Sequence, residues 1–115
     1  MNNLVRLNLK NNQLKTFPGR SKGFESLTHL NLRSNQLTIF PDGLGEITNL
    51  TYLNLKNNQI GYLPNIVSQL TNLVELHIEG NPLTDLSILS DLPKLRIVRF
   101  LGVNLSRKYW TDLNL

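Results

Sequence analysis

Cysteine is absent from this 115-residue chain, and histidine occurs only twice. A disulfide framework, the usual aid of small secreted domains with thin cores, is therefore excluded. The same absence favours a reducing compartment, so a cytoplasmic location is expected. Long apolar runs are also missing. No stretch is long enough to span a bilayer, and no charged segment followed by an apolar run opens the chain. Aromatic residues make up only 7% of the sequence, which leaves few platforms for stacking nucleic-acid bases. No glycine-rich phosphate loop, no dinucleotide fingerprint and no serine, histidine and acid trio in a motif context can be found. These gaps remove most enzyme classes, and no cofactor is expected.

What is present is ordinary in bulk. Hydrophobic residues are 40% and charged residues 17%, which excludes disorder and fibrous composition. The formal net charge is +4, and the isoelectric point is about 9.7. That balance hints at an acidic partner without demanding one. The length is that of one domain.

The distinctive signal is an internal repeat. Leu4, Leu7, Leu9, Asn12 and Leu14 have the spacing LxxLxLxxNxL. The string returns at Leu27, Leu30, Leu32, Asn35 and Leu37, then at Leu50, Leu53, Leu55, Asn58 and Ile60. It returns once more at Leu73, Leu76, Ile78, Asn81 and Leu83. The starts at 4, 27, 50 and 73 set a period of 23 residues. A degenerate fifth unit starts one residue early at Leu95, with Val98, Phe100 and Leu105, and carries Val103 where asparagine is expected. Three units add an apolar residue and proline: Phe17-Pro18, Phe40-Pro41 and Leu63-Pro64. The fourth has Leu86-Ser87 instead.

Within each unit the LxL segment alternates, so it reads as a short strand with leucines on one side and variable residues on the other. Successive strands can stack only as a parallel sheet, and the rest of each unit supplies the crossover. Segments such as 41–47 are too short and too glycine-rich for a long helix. One or two turns are expected. Ordering a residue's backbone costs about 1–2 kcal/mol, and a buried apolar side chain returns about 1.5–3 kcal/mol. With about seven such side chains, a 23-residue unit runs a deficit until neighbours cover both its faces.

Four in-phase matches over nearly the whole chain resemble the leucine-rich-repeat family, in its variety of about 23 residues with a Leu-Pro step. The resemblance implies an α/β right-handed solenoid, a horseshoe arc. The short parallel sheet lines its concave side, with short helical, 3₁₀ or irregular segments on the convex side. It also implies a non-enzymatic protein-interaction module. A single domain over residues 1–115 is expected, with residues 106–115 as a capping segment around Tyr109 and Trp110. The uncapped first unit would leave Leu4, Leu7, Leu9 and Phe17 with one side open and a bare strand edge. A piece of a longer protein is the expected explanation, and self-association through that edge is the alternative.

Asn12, Asn35, Asn58 and Asn81 are expected to turn inward and pair backbone groups that the strands leave open. They are structural residues in this reading, not binding residues. Asn49-Leu50-Thr51 and Asn104-Leu105-Ser106 match the glycosylation sequon, as chance allows in a chain this rich in asparagine.

Recognition then falls to the variable columns. Arg6, His29, Tyr52, Glu75 and Ile97 form one, and Asn8, Asn31, Asn54, His77 and Arg99 the next. Lys10, Arg33, Lys56, Glu79 and Leu101 follow, and then Asn11, Ser34, Asn57, Gly80 and Gly102. The face runs from basic through acidic to apolar, which suits a protein partner better than a uniform polyanion. Arg33, Tyr52, Glu75, His77, Arg99, Lys10 and Lys56 are the candidate binding residues, tyrosine and arginine being favoured anchors. Nucleic-acid or other polyanion binding through Lys10, Arg33 and Lys56 is the runner-up. The two histidines fall two strands apart in different columns, without cysteine or a carboxylate cluster joining them, so no metal site is expected.

Overall fold

The computed structural model describes residues 3–17 and 23–100. Pro18, the fifth-unit residues Leu101, Gly102, Val103 and Leu105, the sequon at Asn104 and the expected cap at 106–115 lie outside the described residues. Each unit contributes one three-residue strand: β1 Arg6–Asn8, β2 His29–Asn31, β3 Tyr52–Asn54, β4 Glu75–His77 and β5 Ile97–Arg99. They form one parallel sheet in the order β1-β2-β3-β4-β5. The register follows the repeat: Arg6 pairs with His29, His29 with Tyr52, and Tyr52 with Glu75. Glu75 pairs with Ile97, so the early start of the fifth unit is absorbed before the strand.

The central residue of each strand, leucine in the first four and Val98 in β5, points into the core and its two neighbours point outward. Leu30, Leu53 and Leu76 are fully buried. Leu32, Leu55 and Ile78 follow them inward, and their N–H groups extend the ladder to the carbonyls of Asn54, His77 and Arg99 at 2.8 Å. In the first unit Leu4, Leu7, Leu9 and Leu14 are half-buried. Phe17 is buried nonetheless, its ring 5.9 Å from that of Phe24.

The return segments are 3₁₀ turns of five residues: Asp42–Glu46, Asn65–Gln69 and Ser87–Asp91. Pro41 and Pro64 stand immediately before the first two, in extended backbone that starts the turn without needing an N–H. The fourth unit lacks that proline and uses chemistry instead: the Asp85 carboxylate accepts the Ser87 N–H at 2.9 Å. Adjacent turns pack so closely that a Cβ at Gly45 would collide with the Ile66 side chain. Glycine is the residue this approach allows.

The asparagines hold the units together. Asn58 is buried. Its amide nitrogen donates to the carbonyls of Leu55 and, in the unit before, Leu32, both at 3.0 Å. Its oxygen accepts the N–H of Leu37, again in the unit before, at 3.1 Å. Asn35 bridges to Leu9 and Leu14, and Asn81 to Leu55 and Ile60, in the same way. Asn12 bonds only within its own unit, to Leu9 and Lys10, and is exposed. A second asparagine rung runs beneath the strands. Asn49 donates to the Glu25 carbonyl at 2.7 Å and Asn72 to that of Thr48 at 2.8 Å. The sequon amide at Asn49 is thus engaged, and Leu50 beside it is fully buried.

Replacing Asn58 by alanine strands the buried N–H of Leu37 and removes one of the two amide donors to the carbonyls of Leu32 and Leu55, and should cost about 1–3 kcal/mol. The same change at Asn12 should cost well under about 1 kcal/mol, because water replaces the lost bonds. Urea denaturation of the two variants checks this, and equal losses would refute the inter-unit role of the amide.

Candidate functional site

The open face of the sheet carries a line of three rings on three consecutive strands. His29 and Tyr52 are register partners, and their rings stack with centroids 5.6 Å apart at 20°. His77 lies one column over on β4 and leans diagonally onto the other face of Tyr52, at 5.3 Å and 51°. Each such contact contributes about 0.5–1.5 kcal/mol. All three rings are half-buried. The Tyr52 hydroxyl accepts a hydrogen bond from Asn54 Nδ2 at 3.2 Å. One stacked ring, one tilted ring and one hydrogen bond hold Tyr52 in place, which reduces the entropy a partner must overcome.

Polar groups hold the flanking histidines. Thr28 Oγ1 lies 2.8 Å from His29 Nδ1. His77 Nε2 lies 2.6 Å from Glu75 Oε2, and His77 Nδ1 lies 3.7 Å from Glu79 Oε1. A carboxylate only accepts, so the short contact places a ring proton on Nε2. Glu79 Oε1 is buried without a hydrogen-bond partner, 3.7 Å from that ring's Nδ1. The carboxylates that sequence reading did not join to His77 thus flank it on both sides. The spacing 75, 77, 79 puts all three on one face of an extended segment, and that was the available signal. Among the described residues no group of three potential ligands is placed to hold a metal ion.

Charge changes sign along the arc. Lys10 and Arg33 are exposed and Lys56 is half-buried over β1 to β3, while Glu75 and Glu79 occupy the fourth unit. Arg99, exposed on β5, is the register partner of His77. A shallow cavity of about 430 Å³ opens at the basic end, walled by Arg6, Asn8, His29, Asn31 and Tyr52. Two of the outward columns serve the backbone. Asn8, Asn31 and Asn54 accept the N–H of Lys10, Arg33 and Lys56 at 2.9–3.1 Å, which turns the chain out of each strand. Asn54 is itself buried. Asn11, Ser34, Asn57 and Gly80 all have positive φ, between 59° and 74°. Asparagine, serine and glycine recur there because a left-handed residue is needed, not because a ligand is. The basic side chains are aimed by that turn.

Sequence reading missed one surface. Ile39 and Tyr62 stand one residue before the Phe-Pro and Leu-Pro steps, 65% and 68% exposed. The signal was a column, Thr16, Ile39, Tyr62 and Asp85, that is polar in the outer units and apolar in the middle two.

The sequence matches the family described as leucine-rich repeats, in two copies, over residues 2–46 and 48–90. Solved structures agree. A leucine-rich-repeat protein of Leptospira interrogans is 33% identical with a TM-score of 0.74, and the match covers 82% of this chain and 25% of that one. The internalin inlC2 of Listeria monocytogenes is 31% identical with a TM-score of 0.76, over 86% of this chain and 42% of that one. The internalin inlF of the same organism has a TM-score of 0.82 at 23% identity, over 97% of this chain and 33% of that one, and bears on the fold alone. The chain therefore spans between a quarter and about two-fifths of the length of these proteins. A comparison with curated proteins gives no match. The chain belongs to the leucine-rich-repeat family, whose arrays serve in general as protein-interaction modules rather than as enzymes. No helix among the described residues is long and apolar enough to cross a membrane.

Burial, and then the positive charge of Arg6, hold the His29 imidazole below the ordinary value of 6.5, against the opposing pull of Glu75. The unfolded chain then binds this proton more readily than the folded one. Its contribution to stability is therefore lost as the pH falls below 6.5. Proton NMR titration should give His29 a midpoint below 6.5, raised by Arg6→Ala and lowered further by Glu75→Gln. Movement in the opposite directions would contradict this electrostatic account of the face.

Proposed function

We propose that this array binds a protein partner across its concave face, as the recognition part of a larger signalling or scaffold protein. The observation that carries the reading is the His29–Tyr52–His77 stack at the centre of the sheet. It presents one pre-positioned aromatic anchor between a basic flank and an acidic one. Membership of the leucine-rich-repeat family supports an interaction module in general. Tyr52 is the anchor, and Arg33, Lys10 and Lys56 attract an acidic strip of the partner. Glu75, His77 and Arg99 fix which end of the partner lies over the fourth and fifth units. Charges of this kind act more on encounter rate and orientation than on final affinity.

The acidic fourth unit disfavours a uniform polyanion. A strip that reverses sign within about two strand spacings, or roughly 10 Å, repels one end of any phosphate backbone laid along it.

Affinity capture from lysate with the native array, followed by titration of the retained protein, tests the reading. Tyr52→Ala should weaken binding by about tenfold or more, the level of an interface anchor. Arg33→Ala should slow association and flatten its salt dependence. Undiminished binding in the Tyr52→Ala, Arg33→Ala double variant would remove the concave face as the site. Tight retention of a DNA oligonucleotide with a steep salt dependence would replace the protein partner by a polyanion.

A further inference from the structure

A second surface lies on the flank of the solenoid, between the asparagine rungs and the 3₁₀ turns. Four large hydrophobic residues among those described are exposed: Val5, Ile39, Tyr62 and Ile97. Ile39 and Tyr62 are the two most exposed of them, and they hold the same repeat position in adjacent units. Gly61 leaves the space beside them unfilled, so an apolar cleft of about 330 Å³ opens there with Phe40 and Pro64 in its wall. On the other side of Tyr62 is a second cleft of about 310 Å³, walled by Asn65, Ser87 and Ile88. Both are at the lower end of the range of ligand pockets. Leaving an isoleucine and a tyrosine in water at neighbouring positions is unnecessary for the fold. The first and fourth units use Thr16 and Asp85 at the same place.

The charge around this ridge is of one sign. Asp42 lines the apolar cleft, and Asp85 and Asp91 line the other. No residue lining either cleft is basic, on a chain whose formal net charge is +4. The hydrogen bonds from the Ser87 backbone and hydroxyl hold the Asp85 carboxyl below its ordinary range, so it is ionised at neutral pH. An apolar cleft flanked by a more polar one, with carboxylates in both, complements a bulky apolar side chain next to a cation.

We infer that this flank is a second docking surface, separate from the concave face, for a polypeptide segment that places a large aliphatic or aromatic side chain beside lysine or arginine. The apolar side chain enters the cleft between Ile39 and Tyr62, and the neighbouring cation meets Asp42 or the Asp85–Asp91 pair.

The test uses a short synthetic peptide of alternating leucine and arginine as probe, titrated into the ¹⁵N-labelled chain to about 5 mM, which reaches millimolar dissociation constants. Amide shifts should concentrate at Ile39, Gly61, Tyr62 and Asp91, leaving the concave strands unmoved. Ile39→Thr with Tyr62→Thr installs the residue that the first unit carries at this position, so the fold is retained. It should weaken binding by about tenfold or more. Asp42→Asn with Asp91→Asn spares the Asp85 cap and should reduce both affinity and its salt dependence. Shifts confined to the concave strands, no shifts at all, or equal binding of a peptide with glutamate in place of arginine would each overturn the proposal. Sedimentation at several concentrations adds a further outcome: self-association abolished by the double threonine variant would make a second copy the occupant and overturn the proposal as stated. None of these results depends on whether Tyr52→Ala affects the concave partner.

Discussion

Every unit in this array must satisfy backbone groups that its own short strand leaves open, and a single side-chain amide does so. A three-residue strand pairs few carbonyls and N–H groups, and the chain then turns sharply inward where water cannot follow. Buried unpaired groups there would cost about 1–3 kcal/mol each. Asn35, Asn58 and Asn81 supply two donors and an acceptor at that point, and in doing so they reach into the preceding unit. The leucine core, the spacing of the strands and the aim of the outward side chains all presuppose that bridge. The positive-φ residues Asn11, Ser34, Asn57 and Gly80 serve the same corner by letting the backbone double back above it.

Once the corner is fixed, the outward residues are free to vary, and they have diverged into two chemically different faces. The concave face carries rings and charges of both signs. The flank carries exposed apolar side chains with carboxylates around them. One scaffold thus carries two chemically distinct surfaces. Ile39 and Tyr62 sit at a position where threonine or aspartate serves the fold equally well.

The repeat was legible because the constraint that produces it acts on every unit alike. Leu30, Leu53 and Leu76, or Asn35, Asn58 and Asn81, face the same physical problem and show the same solution, so the sequence displays it several times over. The columns of outward residues were legible for the same reason, since register follows the period. The contacts within the candidate site were not. His77 meets Tyr52 across a diagonal between columns, and no alignment of repeats states how far a ring leans. Asn8, Asn31 and Asn54 looked like free polar groups in their column; only the turn geometry shows their oxygens accepting the N–H of Lys10, Arg33 and Lys56. The fourth unit has Leu86-Ser87 where the first three have a proline step. Asp85 does the same service by capping the turn, a substitution of chemistry that spacing alone does not announce.

The asparagine bridge also gives the array a direction. Asn35, Asn58 and Asn81 each bind the unit before them, and the bonds run in that one direction along the stack. Adding or removing one whole unit moves everything beyond it by a single strand spacing, about 4.8 Å, with every bridge intact. Length in this protein is counted in strands, and the fifth unit, which starts one residue early, still keeps the Glu75–Ile97 register.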